Sequence, residues 1–259
     1  MTELKTLTWN IGGGKLLAEG EDPGLMSSYN VDAIEEIASQ VKAHNPDIVT
    51  IQEAHGDDND NQVAQIARKL GYTHYFYDPI SDSHIDSTYK LGNGLISRFP
   101  ISDIKKGRFL NPKIHFELEG RKAFTHDKGY GSCNIKIEAK IVYATTLHLI
   151  PFRSVGLEFD TAAAQNILKS IEGELSGDHK YELIQGDFNI HSPVVRSYLP
   201  SLFDNNLLDE VELNEPTTPK GRMYDHVLYK GFRLKTSVVD SSVKTDHYPV
   251  ICNFEVLDQ

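Results

Sequence analysis

Eight polar side chains in this 259-residue chain stand next to apolar, strand-like segments. They are Asn10, Glu53, His148, Asp187, Asn189, Asp225, Asp246 and His247. The ends of strands can aim side chains from distant parts of a sequence into one cleft. Carboxylate and amide oxygens bind hard divalent cations, and imidazole takes up a proton near neutral pH. The set therefore predicts a site that binds a cation and activates a water molecule for hydrolysis.

Each of these side chains also has a purely structural interpretation. Asn10 and Asn189 are residues that commonly form turns, and Glu53 could be a surface carboxylate at the end of a strand. A histidine on an apolar strand, such as His148, is often hydrogen-bonded in a core. Asp-His pairs occur by chance as well. The interpretation as a site depends on the whole set rather than on any single residue.

The elements that must position these side chains follow from the spacing of apolar residues. The sequence predicts strands at 4–11, 47–53, 73–77, 132–138, 140–148, 181–187, 224–229, 233–239 and 248–256. It predicts a helix at 31–44 with Asn30 as its N-cap, a short helix that ends at Leu70, and a third helix at 157–175. Residues 78–89 are expected to be irregular. A strand–helix–strand unit followed by further strands occurs twice, which indicates two sheets packed face to face with helices outside. We expect a single domain over residues 1–259.

The composition limits the classes of function. The chain carries 26 basic and 37 acidic residues, a net charge of −11, which argues against tight, non-specific binding of long duplex nucleic acid. Cys133 and Cys252 form no CxxC motif and are typical of reduced core residues. The first residues lack an apolar run long enough for a signal peptide, and no later window reaches transmembrane length. We expect a cytoplasmic protein, and the sequence does not indicate an oligomeric state.

One basic segment stands out against the acidic background. Its cationic residues are Lys105, Lys106, Arg108, Lys113, Arg121, Lys122 and Lys128, and Phe109, Phe116 and Phe124 lie among them. Cationic and aromatic side chains together can hold single-stranded nucleic acid through its phosphates and bases. A solvated face is the simpler interpretation of the same residues, and the two interpretations stay open.

Seven segments of the chain, taken in order, resemble the endonuclease/exonuclease/phosphatase superfamily. They are 8–11, 51–53, 92–101, 146–149, 186–189, 224–228 and 245–250. The most specific are Gly186-Asp187-Phe188-Asn189 and the Thr-Asp-His-x-Pro-Val motif at 245–250. The resemblance implies an α/β fold, namely a four-layered α/β sandwich of two packed mixed β-sheets flanked by helices, with the site at the loop ends of the sheets.

The resemblance also implies a role for each matching residue. Glu53 would be the principal metal ligand, helped by Asn10 and by Asp246. His247 would be the general base, since its pKa is expected to lie near neutrality, and Asp225 would orient it. Asp187 and Asn189 would orient the attacking water and the leaving group. Asn189, Asn10 and His148 would bind the phosphate. The expected cofactor is Mg²⁺, and Mn²⁺ fits the same ligands.

Three positions depart from the family pattern. Gly12 stands where many members have an acidic residue, two positions after the strand-end Asn. His148 replaces the Tyr and following Pro-Asn of AP endonucleases, which favours the branches that contain DNases, end-processing diesterases, sphingomyelinases and inositol-phosphate phosphatases. His226 follows Asp225 where an aromatic residue is common.

Three functions are compatible with these observations. The first is a metal-dependent nuclease or phosphodiesterase that acts on single-stranded or terminal nucleic acid. The second is a phosphatase or phosphodiesterase for a small or lipid phosphoester, with Pro151, Phe152 and Arg153 beside His148 in a small pocket. The third is a catalytically silent binding module, which is disfavoured because both Glu53 and His247 are present.

Overall fold

The structure is a computed structural model that describes residues 2–57, 59–118, 120–175, 177–204 and 208–258. Its strands are β1 (Thr2–Asn10), β2 (Lys15–Leu17), β3 (Tyr29–Asp32), β4 (Ile48–Gly56), β5 (His74–Asp82), β6 (Lys90–Ser97), β7 (Ile101–Arg108), β8 (His115–Leu118), β9 (Arg121–Phe124), β10 (Gly129–Ile137), β11 (Lys140–His148), β12 (Glu182–Asp187), β13 (Asp209–Glu210), β14 (Asp225–Lys230), β15 (Phe232–Val239) and β16 (Val250–Val256). Its α-helices are α1 (Ile34–His44), α2 (Gln62–Leu70), α3 (Ala162–Leu175) and α4 (Pro200–Asp204).

Two six-stranded sheets are built on the same plan. The first has the order β15-β16-β1-β4-β6-β5 and the second β13-β14-β12-β11-β10-β7. Each sheet contains one parallel pair at its centre, β1 with β4 and β11 with β12, and each pair is connected through a helix, α1 or α3. Antiparallel strands flank both pairs. The predicted mixed sheets are confirmed.

Three apolar layers hold the sandwich together. The layer between the sheets contains Leu4 and Ile48 from the first sheet and Ile135 and Leu183 from the second. Helices α1 and α2 cover the outer face of the first sheet, and α3 and α4 cover the outer face of the second. Because alternate residues of a strand face opposite sides, Leu4 of β1 enters the inner layer, whereas Leu7, Trp9 and Ile11 pack under the helices.

The inner layer becomes polar towards one end of the sheets. Gln52 donates to the Thr146 hydroxyl at 3.0 Å, and Gln185 donates to the Thr50 hydroxyl at 3.0 Å. Both bonds join one sheet to the other. Buried amides need such partners because an unsatisfied polar group in a core costs free energy. These bonds fix the relative position of the two sheets close to the ends of the parallel strands.

Some local predictions were wrong. Asn30 is not a helix N-cap: residues 29–32 form β3, which pairs with β2, and the helix begins at Ile34. Strand β5 continues to Asp82, into the segment predicted to be irregular, because it pairs with β6 as far as Lys90. The third predicted helix starts at Ala162 rather than at 157. The long-range pairing of strands, which local periodicity does not carry, decides the first two cases.

Candidate active site

The parallel strand pairs bring four of the predicted site residues to one place. Asn10, His148 and Asp187 are the last residues of β1, β11 and β12, and Glu53 lies near the end of β4. Parallel strands end at the same edge of their sheet, and here the two edges face each other. Asn10 Nδ2 donates to Asp187 Oδ2 at 3.0 Å across the sheets, and His148 Nε2 lies 3.3 Å from the same oxygen. Asp187 is thus the centre of the cluster.

A β-bulge directs Glu53 into this cluster. The register between β4 and β6 shifts between Ile51 and Ala54, and Glu53 has φ = 53°, in the left-handed region that residues with a side chain rarely adopt. A bulge re-aims a side chain that strand alternation would send to the other face. Glu53 is buried, and its Oε1 lies 3.7 Å from His148 Nε2. Strained backbone that the surrounding structure maintains is a common feature of functional sites.

His247 and Asp225 form the shortest acid–imidazole contact of the cluster. His247 Nδ1 lies 2.8 Å from Asp225 Oδ2, and both side chains are buried. Asp225 opens β14 in the second sheet, and His247 precedes β16 in the first, so this bond also joins the sheets. With Nδ1 donating to the carboxylate, Nε2 points towards Asp187, whose Oδ2 is 3.8 Å away.

The end of the cleft formed by Asp187, Asp225, Asp246 and His247 is anionic, and we call it the anionic end. Burial alone lowers the pKa of His247, but the charges of Asp225, Asp187 and Asp246 outweigh this and hold it well above its usual value. Burial, reinforced by Asp225, raises the pKa of Asp187 to about 7. The near-neutral pKa expected for His247 does not match these surroundings, because three carboxylates surround the imidazole. The sequence did not indicate that they would.

The opposite end, formed by Glu53, Lys128 and His148, is cationic, and we call it the cationic end. Lys128 Nζ lies 3.5 Å from Glu53 Oε1 and 3.0 Å from His148 Nε2. Burial and then the charge of Lys128 hold the pKa of His148 well below its usual value. Burial raises the pKa of Glu53, but Lys128 and three histidines, His84 first among them, outweigh this and hold it well below the usual range.

Lys128 is the contact that the sequence did not single out for this site. It was counted only with the basic segment. Strand register places it here, because Gly129 at the start of β10 pairs with His148 at the end of β11. The residue before Gly129 must therefore lie beside the imidazole. Only a known register could have indicated this.

Two further residues of the basic segment are engaged in contacts with β5. Lys106 donates to the Tyr77 carbonyl, and Arg108 makes a two-pronged contact with the Asp78 carboxylate. The side chain of Arg121 lies outside the described part of the structure. Of the three aromatic residues, Phe109 is in the core, Phe116 packs partly against it, and Phe124 is exposed.

Three further residues from the sequence analysis have a clear structural setting. Asn189, at φ = 52°, donates from its backbone to Asp187 Oδ1 and from its side chain to the Leu149 carbonyl, so it braces the loop that carries Asp187. His226 is fully buried, and its Nε2 lies 3.1 Å from the Ile190 carbonyl. Phe152, expected to line a pocket beside His148, is buried in the core of the second sheet.

The carboxylates of the cleft suit a hard cation. Asp246 Oδ1 is buried and has no hydrogen-bond partner among the described residues. Burial, together with the charge of Glu53, raises the pKa of Asp246 to about 6. A Cβ on Gly12 would come within 2.8 Å of Asp246 Oδ1, so the Asp246 carboxylate lies directly beside this glycine. An unpaired buried carboxylate oxygen near Glu53 is the arrangement that a divalent cation would stabilise.

A second set of oxygen and nitrogen atoms also lies close enough to hold an ion. One ligand atom each of Asp187, Asp225 and His247 lie within 4.8 Å of one another. Asp225 Oδ2 and His247 Nδ1 are joined by their own hydrogen bond, whereas Asp225 Oδ1 is buried and has no hydrogen-bond partner among the described residues. Both this set and the carboxylates of Glu53 and Asp246 therefore offer ligands to an ion.

The sequence matches the Endonuclease/Exonuclease/phosphatase family over residues 7–247. This range covers nearly the whole chain and includes every candidate residue described above. The chain belongs to this family of phosphoester hydrolases, whose members generally depend on divalent metal ions.

Solved structures with the same fold differ widely in sequence. The endonuclease/exonuclease/phosphatase from Beutenbergia cavernae is 18% identical, with a TM-score of 0.74 over 99% of this chain and 72% of the other. ANGEL2, described as a 2′,3′-cyclic phosphatase and solved with adenosine-2′,3′-vanadate, is 16% identical, with a TM-score of 0.62 over 97% and 95%. TDP2 from D. rerio, solved with a single-stranded DNA product, is 12% identical, with a TM-score of 0.61 over 98% and 100%.

Neither a curated relative nor, in the described part of the chain, a membrane-spanning helix was found. No curated protein matches this chain in sequence. Among the described residues, no helix has both the length and the apolar character needed to cross a membrane.

Proposed function

We propose that the chain is a divalent-metal-dependent phosphodiesterase that cleaves single-stranded or terminal nucleic acid by attack of an activated water. The observation that carries the proposal is the buried His247–Asp225 pair with its free nitrogen turned towards the carboxylate cluster. Such a pair can take a proton from water, since the carboxylate fixes the tautomer and stabilises the imidazolium that forms. The extent of the catalytic domain, residues 1–259, stays a prediction.

The residues of the two ends divide the chemistry between them. His247 is the general base, and Asp225 orients it through Nδ1. Asp187 lies within reach of the His247 Nε2 and holds the attacking water, while Asn189 keeps its loop in place. At the other end His148, neutral because its pKa is lowered, donates to a phosphate oxygen. Asn10, whose Nδ2 donates to the Asp187 carboxylate, binds the phosphate with it.

Glu53 and Asp246 hold the metal ion, and Asn10 contributes to the same site. Mg²⁺ is the proposed ion because the ligands are oxygens, and Mn²⁺ fits them equally. A bound divalent cation supplies positive charge that stabilises the charge developing on the phosphoryl oxygens. Asn10 Oδ1 already accepts from the Gly12 backbone, so the carboxylates carry most of the binding.

Two observations favour a short or terminal substrate over internal bonds of a duplex. The chain has a net charge of −11, and two residues of its basic segment, Lys106 and Arg108, are both paired with the Asp78 carboxylate. A protein without a continuous cationic surface binds a long polyanion weakly. The cavity beside Glu53, Lys128 and His148 has a volume of only about 10 Å³, space for about one water molecule, so it is too small to take up a duplex.

That narrow cavity also favours a second candidate function, the hydrolysis of a small phosphoester. A confined site suits a small head group as well as the end of a strand, and one neighbour with this fold, ANGEL2, is described as a 2′,3′-cyclic phosphatase. We keep a sphingomyelin or inositol-phosphate substrate in this second candidate.

A side-by-side rate measurement tests the proposal. The substrates are a short single-stranded oligonucleotide, a blunt or nicked duplex, a closed plasmid, sphingomyelin and inositol phosphates, at matched low salt with Mg²⁺ or Mn²⁺. We expect the single-stranded and end-containing substrates to be cleaved fastest. Activity confined to sphingomyelin or inositol phosphates would replace the first candidate by the second. No hydrolysis of any substrate would favour a silent binding module.

The metal assignment has its own test. Excess chelator should abolish hydrolysis, and Glu53→Gln should raise the Mg²⁺ concentration needed for half-maximal rate as well as lower turnover. Glu182→Gln, the same change at a buried glutamate at the far end of β12, is the matched control and should leave the metal requirement unchanged. Full activity in excess chelator would refute the assignment.

A further inference from the structure

A second cavity adjoins the catalytic cleft. Its volume is about 430 Å³, within the roughly 300–1,000 Å³ of typical small-molecule sites. It shares Ile80, Ser81 and Asp127 with the small cavity beside Glu53 and His148. A group attached to a phosphate in the cleft can therefore extend into it. Lys113 and Phe124 of the basic segment are among the residues that line it.

An exposed aromatic surface forms one side of this cavity. Phe124, at the end of β9, is 54% exposed although it is a large apolar residue. Its ring centroid lies 4.7 Å from that of His126 and 6.4 Å from that of His115, and both histidines line the same cavity. Exposed aromatic rings next to a phosphate site are the surfaces on which nucleobases stack, whatever the base.

Apart from Ile80 and the aromatic surface, the remaining lining is polar, and its formal charges cancel. Lys90 and Lys113 are balanced by Asp82 and Asp127. Lys90 is paired with Asp82, and Asn111 donates to Asp127 at 2.7 Å. A run of phosphates would need an excess of positive charge, and an acyl chain would need a continuous apolar lining. A base with its sugar needs neither, since it offers a flat apolar face and a polar edge.

We propose that this cavity, the nucleoside cavity, binds the nucleoside next to the scissile phosphate by stacking its base on Phe124. The inference rests on the proposed function and deepens it, because it names the part of a single-stranded substrate that is recognised. Lys113, an exposed residue that lines the same cavity, would contact the next phosphate. Recognition through stacking makes the enzyme tolerant of base identity but dependent on a base being present.

The test measures binding separately from cleavage. Fluorescence anisotropy in excess chelator gives the Kd of a short single-stranded oligonucleotide and of a series in which one base at a time is removed, leaving an abasic residue with its phosphates intact. The full-length variants are Phe124→Ala and Phe124→Trp. The control is Tyr75→Ala, which removes a 40% exposed aromatic residue of β5 that does not line the cavity.

We expect Phe124→Ala to weaken binding by about 5- to 150-fold, the range of one base–aromatic stack. Phe124→Trp should restore it, and Tyr75→Ala should have no effect. One oligonucleotide of the abasic series, the one that lacks the stacked base, should bind the wild type weakly. Its affinity should not fall further in Phe124→Ala. In hydrolysis with Mg²⁺, the same variant should raise KM and leave kcat nearly unchanged.

Other outcomes separate the two proposals. If the wild type cleaves oligonucleotides but Phe124→Ala binds and cleaves them normally, the nucleoside cavity is refuted and the proposed function survives. Equal loss for complete and abasic oligonucleotides would also refute stacking. If the wild type neither binds nor cleaves oligonucleotides, both proposals fail. Hydrolysis of sphingomyelin that depends on Phe124 would assign the cavity to a lipid instead.

Discussion

At one end of the cleft His247 is surrounded by three carboxylates, whereas at the other end His148 lies against a lysine. Both imidazoles are buried, and burial alone would lower the pKa of each. The neighbouring charges make the difference: the pKa of His247 is raised and that of His148 is lowered. Asp187 lies between the two, with its Oδ2 3.3 Å from one ring and 3.8 Å from the other.

The comparison separates two functions of the same residue type. An imidazole paired with a carboxylate can accept and hold a proton, which a base must do. An imidazole kept neutral by a nearby cation can donate a hydrogen bond but resists protonation. The surroundings thus favour His247 over His148 as the proposed base, and they agree with the proposed role of His148 in binding the phosphate.

The largest expected effect is the loss of the base. His247→Asn should lower kcat by roughly 10²- to 10⁴-fold, the range typical for a general base. His148→Asn, which keeps a hydrogen-bond donor, should cost less and act mainly on KM. Steady-state kinetics of the two variants on one oligonucleotide compare the two ends directly. Equal losses in kcat would remove the distinction between them.

A smaller effect is expected on the pH profile. A base works when deprotonated, so the rate should rise with pH through the pKa of His247. Asp225→Asn removes the first charge that raises this pKa, so the acidic limb of kcat/KM should move to lower pH while the plateau falls. Glu182→Gln serves as the control. A limb that moves to higher pH would contradict the role of Asp225.

Lys128 offers a way to sharpen the comparison at the cationic end. Its charge repels a divalent cation at Glu53, so Lys128→Met should lower the Mg²⁺ concentration for half-maximal rate several-fold. Lys106→Met, which removes a lysine bound to the Tyr77 carbonyl, is the matched control. A higher Mg²⁺ requirement in Lys128→Met would show that the lysine supports the metal site instead.

The smallest effect on activity is expected at Glu182. Burial raises its pKa to about 7, and neither carboxylate oxygen has a partner among the described residues. The folded state therefore binds more protons than the unfolded state between about pH 4.5 and 7, and stability falls as the pH rises through this window.

Glu182→Gln should remove that penalty. The variant should gain up to about 3 kcal/mol over the wild type at pH 8, and little at pH 4, with activity unchanged. Urea denaturation at both pH values measures the difference. An activity loss would mean that the raised pKa of Glu182 also affects catalysis, although Glu182 lies about 17 Å from Asp187 along β12.

The sequence predicted much of the fold because its signals were local. Alternation in β1 and the helical spacing of α1 and α3 reflect which face each residue buries. Features that depend on pairing were missed: β3 at 29–32 forms only because it pairs with β2, and the bulge at Glu53 arises only against β6.

The candidate site divides in the same way. The motifs around Asp187 and His247 indicated the residues, and the parallel strand pairs explain why they meet. The pKa of His247 and the position of Lys128 could not be predicted, since both depend on which charges lie within a few ångströms after folding. Electrostatics of a buried cluster is a property of the assembled sheets, not of any motif.

A double-mutant cycle on His247 and Asp225 tests the central claim most directly. If the two act as one unit in activating water, kcat of the double variant His247→Asn/Asp225→Asn should be close to that of His247→Asn alone, because the carboxylate has no base left to orient. The cycle is measured with saturating Mg²⁺ on the preferred substrate, and circular dichroism verifies folding. Independent losses that multiply in the double variant would contradict the account.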